Sequence, residues 1–204
     1  MRYDLDINAA TRVGTAPRIT ETGAYVGKIY DAYQYQTKGG ATMVRIEFIA
    51  DDERRASLDM CILKRDGSDA FGINIFHALL ACCHMRSTTT QPDQVFLFGQ
   101  KQKVERFKDM LGKPVGLLLQ KVTDLSREKY QDSLQIATPF DPVTRQTAKE
   151  LLEKAEAKML DKLIASTKDR VTGTRSNPAV EQFESPERQA PADSSSSFGD
   201  DIPF

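Results

Sequence analysis

The sequence has no tryptophan, three cysteines and two histidines among its 204 residues. Cys82 and Cys83 are adjacent, and neighbouring cysteines rarely meet disulfide geometry, so together with Cys61 they make no disulfide framework. That pattern is typical of a reducing compartment. Zinc usually takes four ligands at recognisable spacing, and no paired CxxC accompanies His77 and His84. We therefore expect no metal ion and no other cofactor.

Long apolar runs and common catalytic motifs are also missing. No segment approaches the ~20 apolar residues of a membrane span, and the first twelve residues, MRYDLDINAATR, lack the apolar centre of a signal peptide. We expect a cytoplasmic protein. There is no glycine loop followed by Lys-Ser/Thr, and no Ser/His/Asp pattern is suggested. We expect a protein without enzymatic activity; a nuclease or an annealing recombinase is the alternative.

The charge is balanced overall but unevenly distributed. The net charge is -1, and residues 171–204 contain two of the 28 basic and six of the 29 acidic residues. The body is therefore about +3 and the tail about -4. A mildly basic body with an acidic tail suits a domain that binds a polyanion and carries a separate arm for partner proteins.

Alternating apolar residues predict five strands. Gly23–Ala32, Thr42–Ala50 and Ala56–Leu63 are joined by short polar turns, the first of them at Thr37–Gly40, as in an antiparallel meander. Two further strands are predicted at Val115–Val122 and Tyr130–Thr138, and Val95–Phe98 is a short apolar segment.

Three segments show helical features. In Gly72–Met85 the apolar residues recur at helical spacing, and Lys101–Leu111 predicts a short helix with Val104, Phe107 and Leu111 inward. Asp141-Pro142 would start a third helix, because Asp is a good N-cap and proline is tolerated at the first helical position. This helix either packs on the domain or forms a self-association seam through Ala148, Leu152, Ala155, Met159 and Leu163.

Five strands with a helix in the middle predict a mainly β fold with added helices, and favour a five-stranded barrel of the oligonucleotide/oligosaccharide-binding (OB) kind. Another small β-barrel or a sandwich would give a similar pattern. The expected organisation is an OB-like domain in residues 1–140, a C-terminal helix in 141–170, and a disordered tail in 171–204. The tail is rich in Ser, Pro, Glu and Gln and cannot bury enough apolar surface to fold.

The chain ends in two acidic residues, an isoleucine, a proline and a terminal phenylalanine. Phe204 can fill an apolar pocket while its α-carboxylate pairs with a cation at the rim of that pocket. This end resembles the tail of bacterial single-stranded-DNA-binding proteins, in which a similar sequence docks helicases, nucleases, recombination mediators and replication proteins. The resemblance implies that the partner-binding residues are Asp200, Asp201, Ile202, Pro203 and Phe204.

The body resembles single-stranded-DNA-binding proteins encoded by bacteriophages alongside recombination functions. The residues that carry this resemblance are Gly23-Ala24-Tyr25, Gly39-Gly40 before Met43-Val44, and Leu111-Gly112-Lys113 before the Val115 strand. It implies a phage or mobile-element origin, hence the cytoplasm of a bacterial host. It leaves the oligomeric state open, with a homo-oligomer among the alternatives.

Binding of single-stranded DNA requires cations for the phosphates and flat side chains on which bases stack. Without tryptophan, Tyr and Phe must supply the stacking. The first three strands and their turns offer such a set: Lys28, Tyr30, Tyr33, Tyr35, Lys38, Arg45, Lys64, Arg65 and Phe71. A second basic set near the later turns has fewer aromatic residues: Lys101, Lys103, Lys121, Arg127 and Lys129.

These observations predict a protein that coats single-stranded DNA with little sequence preference and recruits replication, repair or recombination proteins through its tail. The alternative is an interaction protein that binds no DNA and imitates the tail to capture host partners. RNA is a further alternative ligand, because stacking tolerates either sugar.

Overall fold

The first half of the chain forms an antiparallel meander in a computed structural model that describes residues 17–97 and 99–173. Its strands are β1 (Gly23–Gln36), β2 (Thr42–Ala50) and β3 (Arg55–Leu63). The predicted second and third strands are confirmed. The first is longer than predicted, because a bulge between Ile29 and Asp31 resets its register and lets it continue pairing with β2.

A helix and five more strands follow. Helix α1 (Gly72–Cys82) confirms the predicted helical periodicity, with Phe76, Leu79 and Leu80 buried. After it come two strands that form a hairpin, then two longer strands, two short helices and a final short strand. Their bounds are β4 (Gln91–Leu97), β5 (Gln100–Arg106), β6 (Pro114–Asp124), β7 (Asp132–Phe140), α2 (Ala148–Glu153), α3 (Met159–Ser166) and β8 (Arg170–Thr172).

The eight strands of the described residues belong to one sheet, so the predicted number of five is too low. The order along one path is β3-β2-β1-β5-β4. The first half of β1 instead pairs with β6, which also pairs with β7 and β8. Every pairing is antiparallel except that of β6 with β8. The mainly β class with added helices is thus correct.

One core lies beneath the meander and α1. Along β2, the buried side chains of Val44, Ile46 and Phe48 alternate with partly exposed ones, as period-two burial requires. They pack with β3, α1 and β6 in a single apolar cluster that includes Leu58, Leu79 and Leu117. This core fixes which face of the meander points outward.

The predicted helix at Lys101–Leu111 is wrong. Residues Gln100–Arg106 form β5, and only Lys108–Met110 adopt a helical turn, of the 3₁₀ type. Pairing with β4 along its whole length satisfies the β5 backbone, and such tertiary pairing overrides helix propensity. Val104 and Phe107 are buried as predicted, whereas Leu111 is exposed.

The predicted helix starting at Asp141 is also wrong. The Asp141 carboxylate accepts hydrogen bonds from the backbone N–H groups of Val143 and Thr144 and closes a turn. Helix α2 begins only after Thr147, which forms a capping box with Glu150. Lys154 then takes a left-handed conformation, with φ 54°, and breaks the apolar stripe into two short helices.

Glu150 holds these two helices together. One of its carboxylate oxygens accepts the backbone N–H groups of Lys158 and Met159, each at 2.7 Å, while the other accepts the Thr147 backbone N–H at 2.9 Å. These hydrogen bonds, led by that of Lys158, lower the pKa of Glu150 from 4.5 to about 2. The charged form therefore joins the beginning of α2 to the beginning of α3.

We expect acid to loosen the α2–α3 segment. Because the Glu150 pKa is lower in the folded chain, its stabilisation is complete above about pH 4.5 and is lost as the pH falls towards 2. The Glu150→Gln variant should be less stable than the unchanged protein at pH 7. In thermal unfolding measured from pH 7 to pH 2, its melting temperature should fall less between pH 4.5 and 2 than that of the unchanged protein. Glu153→Gln, at an exposed position of α2, is the control. An unchanged pH profile in Glu150→Gln would contradict the assignment.

The predicted tail begins within the described part of the chain. Val171 and Thr172 lie in β8, so the fold extends slightly past the expected boundary at residue 170. Residues 174–204, including the predicted partner-binding end, lie outside the described residues. No helix in the described part of the chain has the length and apolar character needed to cross a membrane.

Candidate nucleic-acid interface

The outer face of the meander carries five of the predicted DNA-binding residues. On β1, Lys28 pairs with Ile49, Tyr33 with Arg45 and Tyr35 with Met43, and all three partners on β2 point away from the core. Strict alternation would turn Tyr33 and Tyr35 towards the core together with Ile29. The bulge shifts them to the outer face, which therefore presents Lys28, Tyr30, Tyr33, Tyr35 and Arg45.

Lys28 and Tyr30 are the open part of this face. Both are exposed, Tyr30 by 59%, and Arg55 lies over the Tyr30 ring, its guanidinium carbon 5.7 Å from the ring centroid. No other described residue pairs with the Lys28 ammonium group. An exposed aromatic ring with one cation over it and a second cation two residues away on the same face offers both a stacking surface and phosphate contacts.

Tyr33 and Tyr35 are instead buried, being only 4% and 8% exposed. They pack with Val104 of β5 in a small apolar cluster separate from the main core. The Tyr35 hydroxyl donates to Asp59 at 3.1 Å, and burial together with the Asp59 charge raises the pKa of Tyr35 to about 12. The predicted role of these two rings as open stacking surfaces does not match this placement.

The Arg45 side chain is also largely covered. Its guanidinium makes a two-pronged ion pair with Asp59, at 2.8 and 2.5 Å, and lies 5.9 Å from the Tyr35 ring centroid. A paired and half-buried guanidinium stabilises the strands that it joins rather than presenting an open charge. Arg106 of β5 is similarly paired, with both Asp31 and Asp93.

The remaining predicted cations lie at the end of the meander where β1 turns into β2. Lys38 is in that turn, while Lys64 and Arg65 follow β3, whose Leu63 pairs with Thr42 at the same end. A β-carbon on Gly40 would lie 3.3 Å from the Arg65 side chain, which places the two loops in contact. Lys38, Lys64, Arg65 and Phe71 are all exposed. We call Lys38, Lys64 and Arg65 the turn-end cations, and none of the three has an ion-pair partner among the described residues.

The β4–β5 hairpin brings part of the second basic set to this end. Tyr33 pairs with Arg106, so β5 runs antiparallel to β1 and its earlier residues extend towards the β1–β2 turn. Lys101 and Lys103 are exposed on β5, and Phe96, exposed on β4, pairs with Lys101. The sequence prediction missed Phe96, although the apolar segment Val95–Phe98 was the available signal.

The other members of the second basic set lie apart, around the β6–β7 hairpin. Lys121 pairs with Asp132 and Arg127 with Asp124, each at 3.0 Å. Lys129 is exposed beside the almost fully exposed Tyr130. This hairpin follows the part of β6 that pairs with Gly23, at the opposite end of β1 from the turn-end cations.

The cysteine and histidine segment has a structural arrangement. Cys82 and Cys83 are buried, and burial raises the pKa of each thiol to about 12. His84 makes a 2.6 Å contact with the buried carboxylate of Asp141 and links the end of α1 to the turn after β7. Within residues 17–97 and 99–173, no group of three or more His, Cys, Asp or Glu side chains is arranged to hold a metal ion.

Tyr30 and Tyr33 provide a matched pair for separating binding from packing. We expect Tyr30→Ala to weaken single-strand binding about tenfold, since base stacking is worth ~1–3 kcal/mol, with little change in thermal stability. Tyr33→Ala should instead cost about 3 kcal/mol of unfolding free energy, because it empties a buried ring site. Oligonucleotide titration and denaturant unfolding of both variants test this. Normal DNA affinity in Tyr30→Ala would contradict its role.

Comparison of the sequence with protein-family models and with curated proteins gives no match.

Proposed function

We propose that residues 1–140 form an OB-like domain that binds single-stranded DNA. Support for the fold comes from strand order: β7, β6, β1, β2 and β3 follow one another across the sheet, and α1 lies between the third strand of the meander and the later strands. Strands β3 and β7, at the two ends of this series, contact each other. In this proposal the β4–β5 hairpin, β8 and the two short helices are additions to a five-stranded barrel.

One observation carries the proposed function: open aromatic rings, and cations that have no ion-pair partner within residues 17–97 and 99–173, share the outer face and the turn end of the meander. Lys28 and Tyr30 lie on that face, the turn-end cations lie at its edge, and the exposed Phe71 follows them in the chain. Spaced cations track a phosphate backbone, and exposed rings stack on bases of any sequence. Tyr33, Tyr35 and Arg45 would support this surface from below.

The C-terminal end supplies the second half of the proposal. Asp200, Asp201, Ile202, Pro203 and Phe204 would bind partner proteins through an apolar pocket with a basic rim. The partners would be helicases, nucleases, or recombination and replication proteins with such pockets. The protein would thereby hold single-stranded DNA and bring processing enzymes to it.

The test is fluorescence anisotropy with a labelled single strand of thirty thymidines and a duplex of equal length, across a salt series. We expect tight binding to the single strand, weak binding to the duplex, and affinity that falls as salt rises. An RNA strand of the same length measures the choice of sugar. Absence of single-strand binding at low salt, also after removal of residues 198–204, would refute DNA binding and leave the partner-imitation alternative.

A further inference from the structure

A cleft opens where β5 separates from β1. The two strands share only two assigned residue pairs, Tyr33 with Arg106 and Gln34 with Glu105. Beyond Gln34 the end of β1 and the β4–β5 hairpin border a space of about 520 Å³ that is open to solvent on one side. That volume falls within the ~300–1,000 Å³ of typical small-ligand sites, so a nucleic-acid base would fit.

The lining of this cleft is mixed, and most of its polar side chains have no partner in the part of the chain that the structure describes. Three glutamine amides, a hydroxyl, one ammonium group and two carboxylates line it together with Tyr35. One of the carboxylates, Asp93, is paired with Arg106, whereas the other six polar side chains have no hydrogen-bond or ion-pair partner among the described residues. The six are Gln34, Gln36, Thr42, Gln94, Lys103 and Glu105.

This chemistry favours a base over a phosphate. An amide offers a donor and an acceptor side by side, the pattern that pairs with the N6 and N7 edge of adenine, whereas a carboxylate accepts from the N4 amino group of cytosine. The Glu105 charge would repel a phosphate within the cleft. Lys103, the one cation in the lining, could hold the phosphate attached to the bound nucleotide.

We propose that the cleft between β1 and the β4–β5 hairpin is a base-recognition subsite for adenine or cytosine, the two bases that carry an amino group, at C6 and C4 respectively, where guanine and thymine carry a carbonyl. The proposal rests on the single-strand-binding function proposed above and adds a base preference to it. Thymine is disfavoured there because it presents the acceptor O4 to the Glu105 carboxylate at the position where cytosine presents an amino donor.

The experiment compares thirty-residue strands of cytidine and thymidine in anisotropy titrations with the full chain at one salt concentration and neutral pH. Two pyrimidines are chosen because they differ in the amino group but little in size. We expect cytidine strands to bind at least about fivefold more tightly than thymidine strands, the low end of discrimination by one good base contact.

The variant Glu105→Ala should bring the affinity ratio of the two strands close to one. Glu105→Ala should also bind thymidine strands more tightly, because the repelling carboxylate is gone. Gln100→Ala, at an exposed position of the same hairpin outside the cleft, should leave the ratio unchanged. Thermal unfolding confirms that each variant is folded.

The outcomes separate the two proposals. Equal affinity for cytidine and thymidine strands, with preference for single strand over duplex retained, overturns the base-recognition subsite and leaves the binding function intact. An equal loss of discrimination in Gln100→Ala also overturns the assignment to the cleft. Failure to bind either strand at low salt refutes the binding function itself, and the subsite with it.

Discussion

Replacement of Gly27 by alanine is expected to cost about 3 kcal/mol of unfolding free energy and ~10 °C in melting temperature. A β-carbon at this position would lie 2.1 Å from the Ile49 carbonyl oxygen and 2.6 Å from the Ala50 α-carbon. Both atoms belong to the backbone, so no side-chain rotation relieves the clash. Gly27 also pairs with Val115 on its other side, and β1 cannot move away without losing β6.

Gly39→Ala is the matched control for this prediction. A β-carbon there would meet only the Thr37 hydroxyl, at 3.8 Å, an ordinary contact distance. Both substitutions reduce the freedom of the unfolded chain equally, so their difference measures the clash at Gly27. Denaturant unfolding gives the free energies. Equal stability of the two variants would show that the strands around Gly27 can separate without cost.

Removal of the three turn-end cations is expected to have the largest effect on the proposed DNA binding. If Lys38, Lys64 and Arg65 each contact one phosphate, the triple alanine variant should reduce the salt slope of log affinity by about 2 and the affinity by on the order of 100-fold at ~0.1 M salt. Stability should change little, because all three are exposed and none joins an ion pair among the described residues.

The control removes the same amount of charge elsewhere. Lys149, Lys162 and Lys168 are exposed residues of the chain after β7, and their triple alanine variant has the same net charge as the turn-end variant. A long-range effect of net charge would weaken binding equally in both variants. A direct contact would change the salt slope only in the turn-end variant. Equal slopes would refute the contact.

Local pattern was sufficient to predict the meander and α1. In β2, apolar residues alternate without interruption and a polar turn precedes each neighbouring strand, so no other element fits the sequence. Gly40, with φ 85°, occupies the predicted turn, where only glycine is unstrained. Short-range periodicity thus carried the information wherever one face was uniformly apolar.

Prediction failed where long-range pairing decided the outcome. The sequence of β5, QKQKVER, suits a helix by propensity, and only its hairpin with β4 makes it a strand. Glu150 similarly resembles an ordinary surface acid, but it receives the backbone N–H groups of residues eight and nine positions later and splits one expected helix into two. Interactions of this kind leave no periodic signal.

The candidate site also combines features that the sequence predicted with features that only the structure shows. Residue types and charge balance pointed to cations and aromatic rings around the first three strands, and alternation placed Lys28 and Tyr30 on the outer face, where the structure has them. Residue types and alternation did not reveal the strand register or which side chains are buried. A single bulge turned Tyr33 and Tyr35 outward, and lateral packing against β5 then covered their rings.

The sequence by itself therefore determined the mainly β class, the meander with its following helix, and the chemistry of the end residues, because each depends on neighbours a few positions apart. Only the tertiary structure decided which aromatic rings are open, which cations are paired, and that the β4–β5 hairpin separates from β1 to form a cleft. The physical reason is that exposure and ion pairing depend on strands distant in sequence, whose approach is fixed by register and burial.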